Sequence, residues 1–370
     1  MMNILNNITD VKLSKIISKV IDQKRIDKEE GLKLYNEASI PTLGILANLV
    51  RERKNGNKTY FNKNIHIEPT NMCVFDCKFC AYSRKLSKKE DAWQFSIDEM
   101  VEKVKAYSNK DITEVHLVGG VHPKMGLYYF IELIEKIRKI RPDIHIKAFT
   151  AVELEYMCRK AKVSYEKGLK LLKDAGQNSL PGGGAEIFDN EVRNKICADK
   201  CNSKTWLEIH ETAHKIGMPS NATILYGHIE KPVHIVDHLD RLRSLQDKTK
   251  GFNTFIPLKY RNGNNQMSHI NEVSVVNDVR LYSFSRIYLD NFEHLKAYWP
   301  MIGKKTTQNL LSFGVDDIDG TIDDTTKIYS MAGVEDQNPV MTTESILKLI
   351  KDVGRTPVQR DTLYNIIKEY

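Results

Sequence analysis

Three cysteines, Cys73, Cys77 and Cys80, fall within eight residues in the spacing C-x3-C-x2-C, inside MCVFDCKFCAYS at residues 72–83. No fourth cysteine or histidine follows closely, so this loop alone cannot complete a tetrahedral metal site. Soft thiolates select iron-sulfur clusters, and three of them suit a cubane 4Fe-4S cluster whose fourth iron stays open to a small molecule. That is a catalytic arrangement. Two other readings of the same residues are a structural zinc completed by a distant ligand, or three unconnected buried thiols. Structural zinc cysteines usually come as C-x2-C or C-x4-C pairs answered by a second pair, which this chain lacks.

The remaining cysteines are Cys158, Cys197 and Cys201. Cys197 and Cys201 lie one helical turn apart and read as small buried hydrophobes. His210, Glu211 and His214 spell H-E-x-x-H, but their helix should cover the outside of the fold and no third ligand pattern follows, so a zinc hydrolase is set aside. The 370 residues are 41% hydrophobic and 28% charged, with no run near the ~20 apolar residues of a membrane span. The N-terminus shows no signal or transit pattern, so a reducing, cytoplasmic setting is expected. The net charge of +7 is spread along the chain, and no basic block alternates with aromatics, so nucleic acid is not an expected partner.

These thiols must be positioned by a scaffold, and the hydrophobic pattern suggests which. Residues 1–60 read as a helical extension, with Leu13, Ile16, Ile17 and Val20 on one face. IHIEPT at 65–70 reads as a strand running straight into the cysteine loop. Strand candidates then alternate with helical patterns: EVHLVGG (114–120), IHIKAFT (144–150), SLPGGGAE (179–186), ATILYG (222–227), FNTFIPLKY (252–260), HLKAYW (294–299) and VDDIDG (315–320). Eight such units predict an α/β fold, a (β/α)8 TIM-type barrel over 61–325, followed by a C-terminal helical appendage at 326–370. The cysteine loop would then sit at the C-terminal end of the first strand, where barrel active sites lie.

Other residues at strand ends are candidates for binding. Gly119 and Gly120 would let a ligand approach the backbone. Glu153 is placed to accept hydrogen bonds from a ribose. The glycines of PGGGAEIF would make room for a bulky group, with Glu186 and Arg193 reaching in, and Arg193 could clamp a carboxylate at two points.

The C-x3-C-x2-C loop with Tyr82 two places beyond it resembles the signature of the radical S-adenosylmethionine (SAM) enzymes. That resemblance implies a 4Fe-4S cluster on the three cysteines and SAM bound to its open iron. It also implies that Gly119 and Gly120 meet the methionine amino group, and that ILYGHIE, an I-x2-G-x2-E form, packs Ile224 on adenine. HIEPTNMCVFDCKFCAYSR, GGGAEIF, LDNFEHLKAYW and GVDDIDGT are similar, within those enzymes, to the aminofutalosine synthases of menaquinone biosynthesis, over residues 60–370. Dehypoxanthine futalosine cyclases and deazaflavin synthases share the architecture; in those a tyrosine usually stands at Pro69 and a glycine pair at Asp319 and Gly320. The chain departs from the synthase pattern at Asp323 and Asp324, where glutamates are expected. The resemblance implies that a deoxyadenosyl radical adds to the enol ether of 3-[(1-carboxyvinyl)oxy]benzoate. His66, Asn71, Arg193 and Lys259 are the candidates to orient this small dicarboxylate, and a flavodoxin or ferredoxin would supply the electron.

Overall fold

A computed structural model of the chain describes residues 9–87, 90–321, 327–334 and 340–370. Asp323 and Asp324 lie outside these residues. Three helices come first, Val11–Ile21, Lys28–Glu37 and Ile40–Asn55. Leu13, Ile16, Ile17 and Val20 form the buried face of the first, whose N-terminus is capped by Asp10. The third stops at Gly56.

The chain then enters the barrel through two short strands, β1 (Lys58–Phe61) and β2 (Asn64–Ile67). Parallel ladders join β2 to β3 (Glu114–Leu117) and β3 to β4 (His145–Ala148). A second parallel set runs β5 (Ser220–Tyr226), β6 (Phe252–Lys259), β7 (His294–Ala297) and β8 (Asp317–Ile318). The expected fourth strand is reduced to two bridges, Lys147 with Ser179 and Leu180 with Ser220. Pro181 has no backbone N–H to donate, and the glycines after it turn away from the sheet.

Two features were not read from the sequence. The barrel closes through β1, which lies within the stretch expected to be helical. It pairs with β8 at Tyr60 and Asp317 and continues directly into β2. The C-terminal segment contains the expected helix, Thr343–Lys351, but goes on to a hairpin of β9 (Thr356–Arg360) and β10 (Ile366–Glu369). β9 runs parallel to β1 from Lys58↔Thr356 to Phe61↔Gln359.

The hairpin seals the end of the barrel at which the strands begin. Arg360 is buried and grips Asp317 with two bonds of 3.1 and 2.6 Å. Tyr364 donates to the same carboxylate at 2.7 Å, and Thr362 donates to Glu114 at 2.8 Å. Removing one partner of a buried ion pair leaves a charge without compensation, which costs about 3–5 kcal/mol. Arg360→Met should therefore lower unfolding stability by that amount in a urea titration. Lys348→Met, which breaks only the exposed pair with Asp352, should leave it unchanged.

Candidate active site

At the opposite end, β2 delivers the chain into the cysteine loop. Asn71 holds the loop shut: its amide donates to the Asp91 carbonyl at 2.8 Å and accepts from the Trp93 N–H at 2.9 Å. The Tyr82 hydroxyl donates to the Thr70 carbonyl at 3.1 Å, with its ring edge-on to Trp93. The turn after β3 packs directly on this loop. Gly120 donates to the Thr70 carbonyl at 2.7 Å, and a Cβ on Gly120 would stand 2.4 Å from the Met72 carbonyl oxygen. Both glycines are therefore needed for backbone to meet backbone.

The thiols of Cys73, Cys77 and Cys80 are unpaired and partly buried. The Cys73 Sγ accepts from the Phe75 and Val121 N–H groups at 3.5 and 3.4 Å. From below, the loop rests on the turn after helix Asn190–Ile196: Lys78 donates to the Ile196 carbonyl at 2.9 Å, and Asp76 N–H to the Asp199 carboxylate at 2.6 Å. Burial raises the Cys73 and Cys77 thiols above their ordinary value, so ionising them here calls for a compensating cation.

Beside the loop lies a cavity of about 240 Å³. Its walls near the thiols are Cys80, Tyr82, Thr150, Gly182, Gly183 and Glu186. Apolar side chains, among them Val118, Leu225, Ile256, Leu258 and Met301, line much of the rest. Glu186, in a left-handed conformation, is ion-paired with Lys200. Lys259 lines the cavity and donates to Asp278 at 2.9 Å, a carboxylate that also takes the Tyr226 hydroxyl at 2.9 Å. His66 lines it too, its ring edge-on to that of His116.

Four expectations need correction. Asn71 spends its amide on loop closure and does not face the cavity. Arg193 donates to the carbonyls of Ala185, Ile187 and Cys201, so it stabilises the 185–187 turn instead of clamping a carboxylate. Ile224 is on the wrong face of β5: Asn221, Thr223 and Leu225 line the cavity, and strand periodicity turns Ile224 towards the helices. Glu153 forms the capping box of helix Ala151–Ala161, accepting from the Thr150 N–H and hydroxyl at 2.7 and 2.8 Å. The rings of His210 and His214 both bond to the Ser220 hydroxyl at 2.7 Å.

The cavity also contains charged residues missed from the sequence, Lys147, Lys296, Asp319 and Arg261, and the buried imidazole of His116. A signal for two of them was present, since IHIKAFT and HLKAYW each place a lysine inside an otherwise apolar strand.

Comparison with known proteins agrees with this geometry. The radical SAM superfamily pattern matches residues 67–242, and the CofH/MqnC C-terminal region matches 249–369. The aminodeoxyfutalosine synthase of Thermus thermophilus is 42% identical over 98% of this chain and 98% of its own length. The chain belongs to the aminodeoxyfutalosine synthase family of radical SAM enzymes. The Streptomyces coelicolor aminodeoxyfutalosine synthase is 38% identical, covering 95% of this chain and 93% of its own. A 5-amino-6-(D-ribitylamino)uracil–L-tyrosine 4-hydroxyphenyl transferase from Methanothermobacter thermautotrophicus is 34% identical, covering 97% and 98%. The fold is that of the hydrogenase maturase HydG from Carboxydothermus hydrogenoformans, with a TM-score of 0.76, 20% identity, and 98% and 83% of the two chains covered.

A 4Fe-4S cluster and SAM are the cofactors of this superfamily, and the residues present suit them. Three unpaired soft thiols share one loop, and the cavity walled by Tyr82, Thr150 and the 182–183 glycines begins at Cys80. No helix among the described residues is long and apolar enough to cross a membrane.

Two outcomes follow from this geometry. Serine at Cys73, Cys77 or Cys80 should abolish iron and sulfide binding in anaerobically reconstituted protein, whereas alanine at Cys158 or Cys197 should leave both unchanged. Burial pushes the Glu153 carboxyl up to about 7, against the hydrogen bonds from Thr150 and Gly119. The folded state thus favours the protonated acid, so this group's contribution is greatest below its unfolded value and is lost as pH rises through about 7. Relative to Glu153→Gln, the native protein should lose on the order of 3 kcal/mol between pH 5 and pH 8 in urea unfolding.

Proposed function

We propose that this chain is a radical SAM aminofutalosine synthase of menaquinone biosynthesis. It would join the 5'-deoxyadenosyl group of SAM to 3-[(1-carboxyvinyl)oxy]benzoate, with rearrangement and loss of a carboxylate, to give 6-amino-6-deoxyfutalosine. The observation that carries this reading is 42% identity, over nearly the whole of both chains, to a relative of that name. When bound, the reduced cluster supplies one electron to the sulfonium of SAM and so releases a carbon radical.

The protein's own residues contribute binding and enclosure. Cys73, Cys77 and Cys80 hold the cluster. Tyr82, Thr150 and the 182–183 turn form the wall nearest to Cys80, which is the place for the adenosyl group. The apolar lining, Val118, Leu225, Ile256, Leu258 and Met301, suits an aromatic ring and keeps out water, which would otherwise give the radical a competing reaction. Lys259, fixed by Asp278, is placed to meet an anionic group at the mouth. A flavodoxin or ferredoxin in the reducing cytoplasm would deliver the electron.

A second reading is a futalosine cyclase or deazaflavin-type enzyme acting by hydrogen abstraction; the 34% identity to a 4-hydroxyphenyl transferase, over nearly the whole of both chains, shows that the architecture also serves another reaction. Reconstituted protein incubated with dithionite, adenosyl-labelled SAM and the enol ether should place the label in a product containing both adenine and arene. Label recovered only as free 5'-deoxyadenosine would overturn the synthase reading in favour of abstraction.

A further inference from the structure

The floor of the cavity is a single layer of side chains. His66, His116 and Lys147 are register partners across β2, β3 and β4, and Lys296 occupies the equivalent third position of β7. All four line the cavity. They lie within the strands, below Lys259 and Arg261, which stand at and beyond the end of β6.

Each floor lysine is held by a carboxylate. Lys147 Nζ meets Glu114 at 2.6 Å, and Lys296 Nζ meets Asp319 at 3.1 Å with Asp317 at 3.6 Å. An ammonium has three donors, and these contacts satisfy one hydrogen bond of each. Asp317 itself is spent on Arg360 and Tyr364, and the second oxygen of Glu114 on Thr362. The remaining N–H groups of two fixed cations are therefore without a protein partner among the described residues on the floor of the cavity. His116 adds a buried ring nitrogen, Nε2, that has no partner among the described residues. The second oxygen of Asp319 is also without a partner among the described residues, so the floor offers several donors beside one acceptor, and a neutral apolar ligand would strand them.

We propose that Lys147 and Lys296 form a seat for an aryl carboxylate of the substrate, orienting the ring so that its other end faces the cysteine loop. The inference rests on the synthase reading given above. In that substrate the enol carboxylate is attached to the alkene that must meet the adenosyl carbon, so it belongs near the mouth with Cys80 and Tyr82. The benzoate carboxylate, across the ring, is then directed to the floor. It is also the carboxylate that survives the reaction, so holding it by two fixed cations orients the substrate through every step.

The test compares the natural enol ether with an analogue whose aryl carboxylate is a carboxamide. Wild-type protein should use the carboxamide with kcat/KM lowered by at least about tenfold, the equivalent of a lost charge-assisted hydrogen bond. Lys296→Met should lower kcat/KM for the acid by a similar factor, chiefly through KM, and should treat the two compounds alike within about threefold. Glu114→Gln with Lys147→Met, which removes the other pair without leaving a lone charge, should behave the same way. Iron content and the slow release of 5'-deoxyadenosine without substrate should stay at wild-type levels in both. Where Lys296→Met fails to fold, Lys296→Met with Asp319→Asn is read by the same criterion. Variants that keep the wild-type preference for the acid would overturn the carboxylate seat. Wild-type protein that forms no adenosyl adduct would instead overturn the synthase reading.

Discussion

The contact on which the site depends is the approach of two backbones without side chains between them. The 119–120 turn lies against Thr70 and Met72 so closely that a single Cβ would collide, and three hydrogen bonds tie the strand-end turn to the cysteine loop: Gly120 to Thr70, Val74 to Val121, and Val121 to the Cys73 sulfur. This contact converts the register of a sheet into the position of a thiol. β2 and β3 are locked together from Asn64↔Glu114 to Ile67↔Leu117, so whatever fixes the barrel also fixes Cys73. A flexible loop would carry three cysteines equally well, but it would not hold them beside the same wall of the cavity.

The same register organises the interior in depth. Parallel in-register strands stack equivalent positions into layers, and here the layers differ in chemistry. Glu114 and Asp317, first in their strands, are charged and covered by the C-terminal hairpin. Two residues beyond Glu114 come His66, His116 and Lys147, Lys296 is the register partner of Asp317, and above these lie the cysteine loop and the 182–186 turn. Burying so many charges is tolerable only because nearly every one has a counter-charge. Burial alone would raise the Glu114 carboxyl, but Lys147 and Lys296 reverse that and hold it well below the ordinary carboxylate range.

Much of this was legible in the sequence where the physics is local. Cysteine spacing and the apolar face of Val11–Ile21 each depend on residues within about one or two helical turns. The readings that failed depend on partners far away in the chain. Arg193 carries the charge of a carboxylate clamp, but what it meets are three carbonyls supplied by a fold that sequence spacing does not reveal. Ile224 fails for a simpler reason: a motif says which strand a residue is on, and only the ring of strands says which face points inward. The fourth strand was overcalled because SLPGGGAE begins like a strand before Pro181 ends its pairing.

Closure through β1 has a consequence for how chemistry and stability are coupled. β1 is inserted between β8 and β9, so the base of the barrel is built from residues 58–61, 317–318 and 356–360 at once. Arg360 neutralises Asp317, and Asp317 lies 3.6 Å from the Lys296 ammonium that faces the cavity. Without Arg360, Asp317 would draw Lys296 more strongly, because at low dielectric an uncompensated carboxylate dominates its neighbours. Lys296 is then shared between Asp317, its register partner, and Asp319, two residues further along, and the balance is set by a guanidinium near the end of the chain. The C-terminal hairpin thus acts on the site without touching it: by saturating one carboxylate, it weakens that carboxylate's hold on the ammonium.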